Sequence, residues 1–162
     1  MTLVLRPEPL TAAAFAPFGD VVEAGSAPLT INQGFAQRFS DLAQIDVTAE
    51  GGAISISLFH GEPQAAPVSL KLVERHPLGS QLFYPLQDVA WIAIVAEAPE
   101  PGALRAFRTS GRQGVNFARN VWHHPLLAPV AGSRFLIIDR LGPGSNLEEH
   151  WFGEDERPVL EG

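Results

Sequence analysis

Glu74-Arg75-His76-Pro77-Leu78-Gly79-Ser80-Gln81 puts a carboxylate, an imidazole and a carboxamide within one short stretch. In an extended strand, residues two apart share a face. Glu74 and His76 therefore point the same way, continuing the side that carries Leu70 and Leu72. A buried ionisable group must be paired, bound to a metal or neutralised, so an acid and an imidazole at the end of an apolar face suggest a site. The Pro77-Leu78-Gly79 turn then returns the chain, so that Gln81 can reach the same region from the next strand. The competing reading is a strand end emerging into water. A second stretch, Asn116 to Pro125, holds Trp122-His123-His124. Adjacent residues of an extended chain face opposite sides, so one of the two histidines enters a given pocket. Neutral imidazole ligates metals and moves protons near pH 7, and it also serves as a satisfied structural group.

The remaining polar residues carry weaker signals. His60 and His150 sit beside Gly and Glu in loop-like sequence and read as surface. Lys71 is the only lysine and the only candidate Schiff-base amine, but its parity sets it opposite Glu74 and His76. Arginine can recognise a carboxylate with two parallel hydrogen bonds. Arg38, Arg75 and Arg119 lie nearest the interesting segments. Asn32-Gln33-Gly34 is a turn signal, with Asn32 either a ligand contact or simply a turn residue.

The elements that must position these groups are short strands. The 14 prolines and 15 glycines are spread along the whole chain and cut it into brief segments. Ala53–Phe59 alternates Ile54, Ile56 and Leu58 with Ser55 and Ser57, the period of a half-buried strand. Val68–His76, Gln81–Leu86, Val89–Ala96, Leu104–Arg108, Gly114–Phe117 and Arg134–Arg140 follow, separated by Gly- and Pro-rich turns. Thr11 before Ala12–Phe15 predicts one N-capped short helix, ended by Pro17 and Gly19. Asp41–Val47 is ambiguous between turn and strand. Many short strands at near-regular spacing predict an all-β jelly-roll sandwich or barrel with one or two short helices. The 162 residues fit one domain, with residues 142–162 an acidic C-terminal tail that wraps the surface or is partly mobile.

Composition excludes several functions. The chain is 46% hydrophobic and 18% charged, unlike a disordered chain. Its net charge of −7 and the lack of any basic run argue against nucleic acid as a partner. No apolar run approaches the ~20 residues of a membrane helix, and the first residues do not read as a secretory signal. Zero cysteines exclude disulfides and thiolate chemistry and suit the cytoplasm. No GxGxxG, P-loop or GxSxG motif is present, which removes nucleotide-dependent and serine-hydrolase readings.

Two long segments, ERHPLGSQLFYPL (Glu74–Leu86) and GVNFARNVWHHPLLA (Gly114–Ala128), resemble the hallmark stretches of the ureidoglycolate lyase family. FGDVVE (Phe18–Glu23), INQG (Ile31–Gly34), RFSDL (Arg38–Leu42), ISIS (Ile54–Ser57), LRAF (Leu104–Phe107) and FLIIDR (Phe135–Arg140) match in the same order. The resemblance implies a cupin-like β-barrel, commonly a homodimer, that cleaves (S)-ureidoglycolate to glyoxylate and urea in allantoin and purine breakdown. It implies pocket positions at Glu74, His76, Gln81 and His123. The mechanism then expects Glu74, His76 and His123 to be catalytic and Gln81 to bind the ureido group of a small ureido acid. Arg119 or Arg38 would hold its carboxylate, with Asn32 a further candidate contact. Glu74 or His76 would be the base and His123 would assist urea departure. Glu74 and Gln81 stand at two positions of the usual three-histidine, one-glutamate cupin metal set. The implied cofactor is therefore none, or a loosely bound divalent metal held by Glu74, His76, Gln81 and His123. The rival functions are another cupin reaction, a metal-dependent oxygenase or isomerase, and a non-catalytic sensor of small acids.

Overall fold

The computed structural model describes residues 1–162 and is an all-β, cupin-like fold. In chain order the strands are β1 (Val4–Leu5), β2 (Pro7–Pro9), β3 (Gly19–Val22), β4 (Leu29–Ile31), β5 (Ala36–Arg38), β6 (Ala53–Gly61), β7 (Val68–Ser69) and β8 (Leu72–Arg75). There follow β9 (Gln81–Pro85), β10 (Ile92–Ala96), β11 (Leu104–Arg108), β12 (Gly114–Phe117), β13 (Trp122–His123), β14 (Ser133–Leu141), β15 (Glu148–Trp151) and β16 (Val159–Leu160). The one α-helix, α1, spans Ala12–Phe15, and the Thr11 hydroxyl accepts from the Ala14 N–H at 3.1 Å, as a Thr N-cap should.

A six-stranded sheet, β15-β8-β13-β10-β11-β2, lies between a five-stranded sheet, β3-β12-β9-β14-β6, and a small one, β1-β16-β7. The sheets are not hydrogen-bonded into a closed barrel. Alternate residues of β10 serve two cores. Ala93 and Val95 face Phe83, Trp91, Phe107, Val115, Phe117, Phe135 and Ile137. Ile94 and Ala96 face Leu70, Val73, Leu104, Phe152 and Leu160. A strand buried on both faces needs no polar alternation, which is why Ile92–Ala96 reads as a continuous apolar run.

Two sequence expectations change and a third becomes specific. The alternation over Ala53–Phe59 is present in β6, but inverted. Ser55 and Ser57 face the sandwich interior, while Ile54, Ile56 and Leu58 are 58%, 70% and 60% exposed on its outer face. Period alone does not say which face is covered. Val68–His76 is not one strand: it breaks at Leu70–Lys71 into β7 and β8, and the break turns both Leu70 and Val73 into the same core. The parity from Leu70 therefore fails, while Leu72 and Glu74 still share a face. Third, residues 142–162 wrap the surface in part as short strands. β15 pairs with β8 in the register Glu149↔Glu74, β16 lies between β1 and β7, and Phe152 and Leu160 are buried. β15 is exposed throughout, and the segment is anchored by Phe152 and Leu160. Asp41–Val47 is neither helix nor strand; it is pinned where Ser80 N–H donates to the Asp46 carbonyl at 2.8 Å.

Candidate active site

At one end of the sandwich the interior changes from aromatic to polar. From the five-stranded sheet, Gln81 shares the inward face of β9 with Phe83, and Asp139 shares that of β14 with Phe135 and Ile137. From the six-stranded sheet come Glu74 on β8 and His123 on β13, which are directly opposite in register. His76 enters from the turn just beyond β8. A Glu74 carboxylate oxygen lies 3.5 Å from His123 Nε2 and 3.9 Å from His76 Nε2. Gln81 Oε1 lies 3.0 Å from His76 Nε2 and 3.2 Å from His123 Nε2. His123 is 1% exposed and stacks flat on Phe117, ring centroids 4.3 Å apart, which fixes its ring plane.

Both imidazoles are held from behind. His76 Nδ1 faces the Asn146 carbonyl at 2.8 Å, and His123 Nδ1 faces the Val121 carbonyl at 2.9 Å. A carbonyl only accepts, so each Nδ1 carries a proton. The two Nε2 atoms then converge with Glu74 and Gln81 on one point. Gln81 is oriented in turn, its Nε2 donating to Asp139 at 3.2 Å.

The centre is electrostatically poised. Burial pushes the Glu74 carboxyl up, but hydrogen bonding to His123 and the positive potential of His123, His76 and His124 outweigh it and hold the group below its ordinary value. Glu74 is thus an anion at neutral pH. His124, on the opposite side of the chain from His123, donates its Nδ1–H to the Pro125 carbonyl at 2.7 Å and is buried among Phe83, Ile94 and Phe117. Burial lowers its basicity, against the hydrogen bond to Pro125 and the nearby Glu74.

The structure brings Glu74, His76, Gln81 and His123 together. It leaves Arg119, Arg38 and Asn32 out of contact with them. Arg119 is chelated by Asp46 at 2.6 and 3.0 Å beside Asp20, Gln44 and Ser80. Arg38 and Asn32 are exposed on the β4–β5 hairpin, with Asn32 in the left-handed region at φ 52°. Arg75 pairs with Glu148 and lies over Trp122, facing away from Glu74. His60 and His150 are exposed. Two site residues were missed from sequence, Asp139 and Asn146. The signal for Asp139 was a carboxylate in phase with Phe135 and Ile137 in FLIIDR; Asn146 acts through its main chain and had none.

An ionised carboxylate facing one buried and one half-buried imidazole, inside a cupin-like sandwich, defines a class: a cupin-like enzyme built to move protons on a small polar substrate. The family model described as ureidoglycolate lyase matches residues 2–159. Similar proteins include "Ureidoglycolate lyase 1" of Rhizobium meliloti, 50% identical over 157 residues that cover 95% of this chain and 92% of the relative. "Ureidoglycolate lyase" of Burkholderia mallei is 54% identical over 90% of this chain and 87% of its own. That of Pseudomonas aeruginosa is 47% identical over 97% and 95%. The chain belongs to the ureidoglycolate lyase family.

Proposed function

We propose that this enzyme cleaves (S)-ureidoglycolate to glyoxylate and urea, late in allantoin and purine degradation. The observation that carries the reading is the convergence of Glu74, His76, His123 and Gln81 on one point. The substrate carbon bears both a hydroxyl and a ureido nitrogen. As the hydroxyl proton leaves, its O–H electron pair becomes the new C=O bond; the C–N bond breaks, and its pair is protonated on the departing nitrogen. One base and one acid suffice. Glu74, held ionised, takes the hydroxyl proton. His123, whose Nε2 lies 3.2 Å from Gln81 Oε1 and 3.5 Å from a Glu74 oxygen, is the group placed to pass a proton to the leaving urea. His76 shares the proton load with Glu74, and Gln81 hydrogen-bonds the ureido group. Arg38, Arg119 and Asn32 are our candidates for holding the substrate; of the arginines, Arg119 already has its charge countered by Asp46. Release of equimolar urea and glyoxylate from ureidoglycolate tests the reading.

The same residues fit a divalent cation. Glu74, His76 and His123 offer ligand atoms within 4.8 Å of one another, and each imidazole donates its other N–H to a carbonyl, the usual support of a metal-bound histidine. Gln81 would complete the set. A bound cation would polarise the substrate hydroxyl oxygen and ease loss of its proton.

We further propose a homodimer, working in the cytoplasm. The support for pairing is the inverted β6 strand. Ile54, Ile56 and Leu58 stand bare on the outer sheet face, beside a groove of about 390 Å³ lined by Val22, Phe39, Leu42, Tyr84, Leu136 and Ile138. The β4–β5 hairpin adds Leu29 and Phe35, 60% and 90% exposed. An isolated two-stranded hairpin is marginal in water. Exposed apolar faces of this kind are the mark of an interaction site. A second copy supplies a cover for the face and a support for the hairpin at once.

A further inference from the structure

We propose that Asn146 is a positioning residue for His76. The proposal rests on the reading of His76 as part of the proton-moving centre. His76 lies beyond the last residue of β8, so the sheet does not fix its ring. Asn146 does so from two sides. Its main-chain carbonyl accepts from His76 Nδ1 at 2.8 Å, and its side-chain Oδ1 accepts from the Leu78 N–H at 2.8 Å. One residue thus grips the turn that carries His76 and the ring itself. Its own loop, between β14 and β15, is anchored by buried Arg140, whose guanidinium donates to the Ala49 carbonyl at 2.9 and 3.1 Å and to the Pro143 carbonyl at 2.7 Å. Gly144 in that loop has φ +90°, a conformation that side chains other than glycine's rarely take, and Leu78 and Glu50 crowd its missing Cβ.

The chemical consequence is a fixed tautomer. Nδ1 of His76 meets a main-chain carbonyl, which cannot rotate into a donor. Nε2 meets Gln81 Oε1, on a side-chain amide that can turn its NH₂ toward the ring by giving up its bond to Asp139. The proton of the neutral ring therefore sits on Nδ1, and the Nε2 lone pair is aimed at the point shared with Glu74 and His123. Without the Oδ1 clasp on Leu78, the Asn146 carbonyl loses its direct tie to the turn that carries the ring, and only the Arg140 anchor of the loop remains. Aspartate keeps an acceptor at the same reach; alanine does not.

Ring ¹⁵N shifts of His76 in the metal-free protein, at about pH 8 where an ordinary imidazole is neutral, read the tautomer directly. The wild type and N146D should show the Nδ1–H form, and N146A a mixture. In N146A, kcat should fall about ten- to a hundred-fold, the range for lost support behind a functional histidine, with KM little changed and N146D restoring most of the loss. A wild-type His76 protonated on Nε2, or an N146A enzyme with wild-type kcat, overturns the proposal. The wild-type spectrum decides even if N146A does not fold. It also separates this proposal from the functional reading, because the tautomer is observed whether or not the chain cleaves ureidoglycolate.

Discussion

Glu74 and His123 are 49 positions apart in sequence yet directly opposite on neighbouring antiparallel strands, with a carboxylate oxygen 3.5 Å from an imidazole Nε2. The register of β8 against β13 sets this pair, and His123 helps hold the Glu74 carboxyl below its ordinary value against its burial. Replacing Glu74 with Gln keeps the shape and removes the anion. Turnover should fall by about 10²–10⁴, the range for loss of a positioned general base. The circular-dichroism spectrum should stay native. A Glu74→Gln enzyme with full activity would remove Glu74 from the chemistry.

The buried His124 predicts an acid limb in stability. Its folded-state basicity is lowered, so below the ordinary imidazole value of 6.5 the unfolded chain takes up a proton that the folded chain refuses. Stability is therefore complete above that value and declines as the pH falls below it. Glu74, also held below its ordinary value, adds a second decline below 4.5. Melting temperatures measured between about pH 7 and pH 5 should drop in the wild type and drop less in a His124→Leu variant. Equal slopes would contradict the assignment.

The outer face of β6 predicts a charge-sensitive dimer. Sedimentation of the wild type should give twice the chain mass of 17.4 kDa. Ile56→Asp combined with Leu58→Asp should give a folded monomer, since both side chains are solvent-exposed within one copy and their loss leaves no cavity. A wild type that sediments as a monomer, or a variant that stays dimeric, would exclude this face.

A divalent cation and a proton compete for the same Nε2 lone pairs, so metal affinity should weaken as the pH falls. Calorimetric titration with Ni²⁺ or Mn²⁺ should show one site per chain, weakened at least ten-fold by His123→Ala. Unchanged affinity in that variant would place any bound ion elsewhere.

The sequence carried most of the site because it concentrates in two local stretches. Glu74, His76 and Gln81 flank one turn, and its geometry follows from Pro77 and Gly79. His123 was joined to Glu74 only through the family resemblance, because strand register is a long-range property that the residues alone do not show. The inversion of β6 could not be read, since Ile-Ser alternation is the same whichever face is covered. The return of residues 148–160 into two sheets was hidden by their acidic composition; Phe152 and Leu160 are the residues that anchor it. Asp139 was readable in principle, being in phase with the apolar face of its strand. Arg38 and Arg119 were named by proximity in sequence, and the structure sets Arg38 on the β4–β5 hairpin and Arg119 against Asp46.

Racemic ureidoglycolate offered to the purified protein tests the central claim most directly, with urea and glyoxylate measured together. The account predicts that the two products appear in equal amounts and that consumption stops when half of the racemate is gone. Ammonia in place of urea, or no release at all from a folded protein supplied with divalent metal, would contradict it.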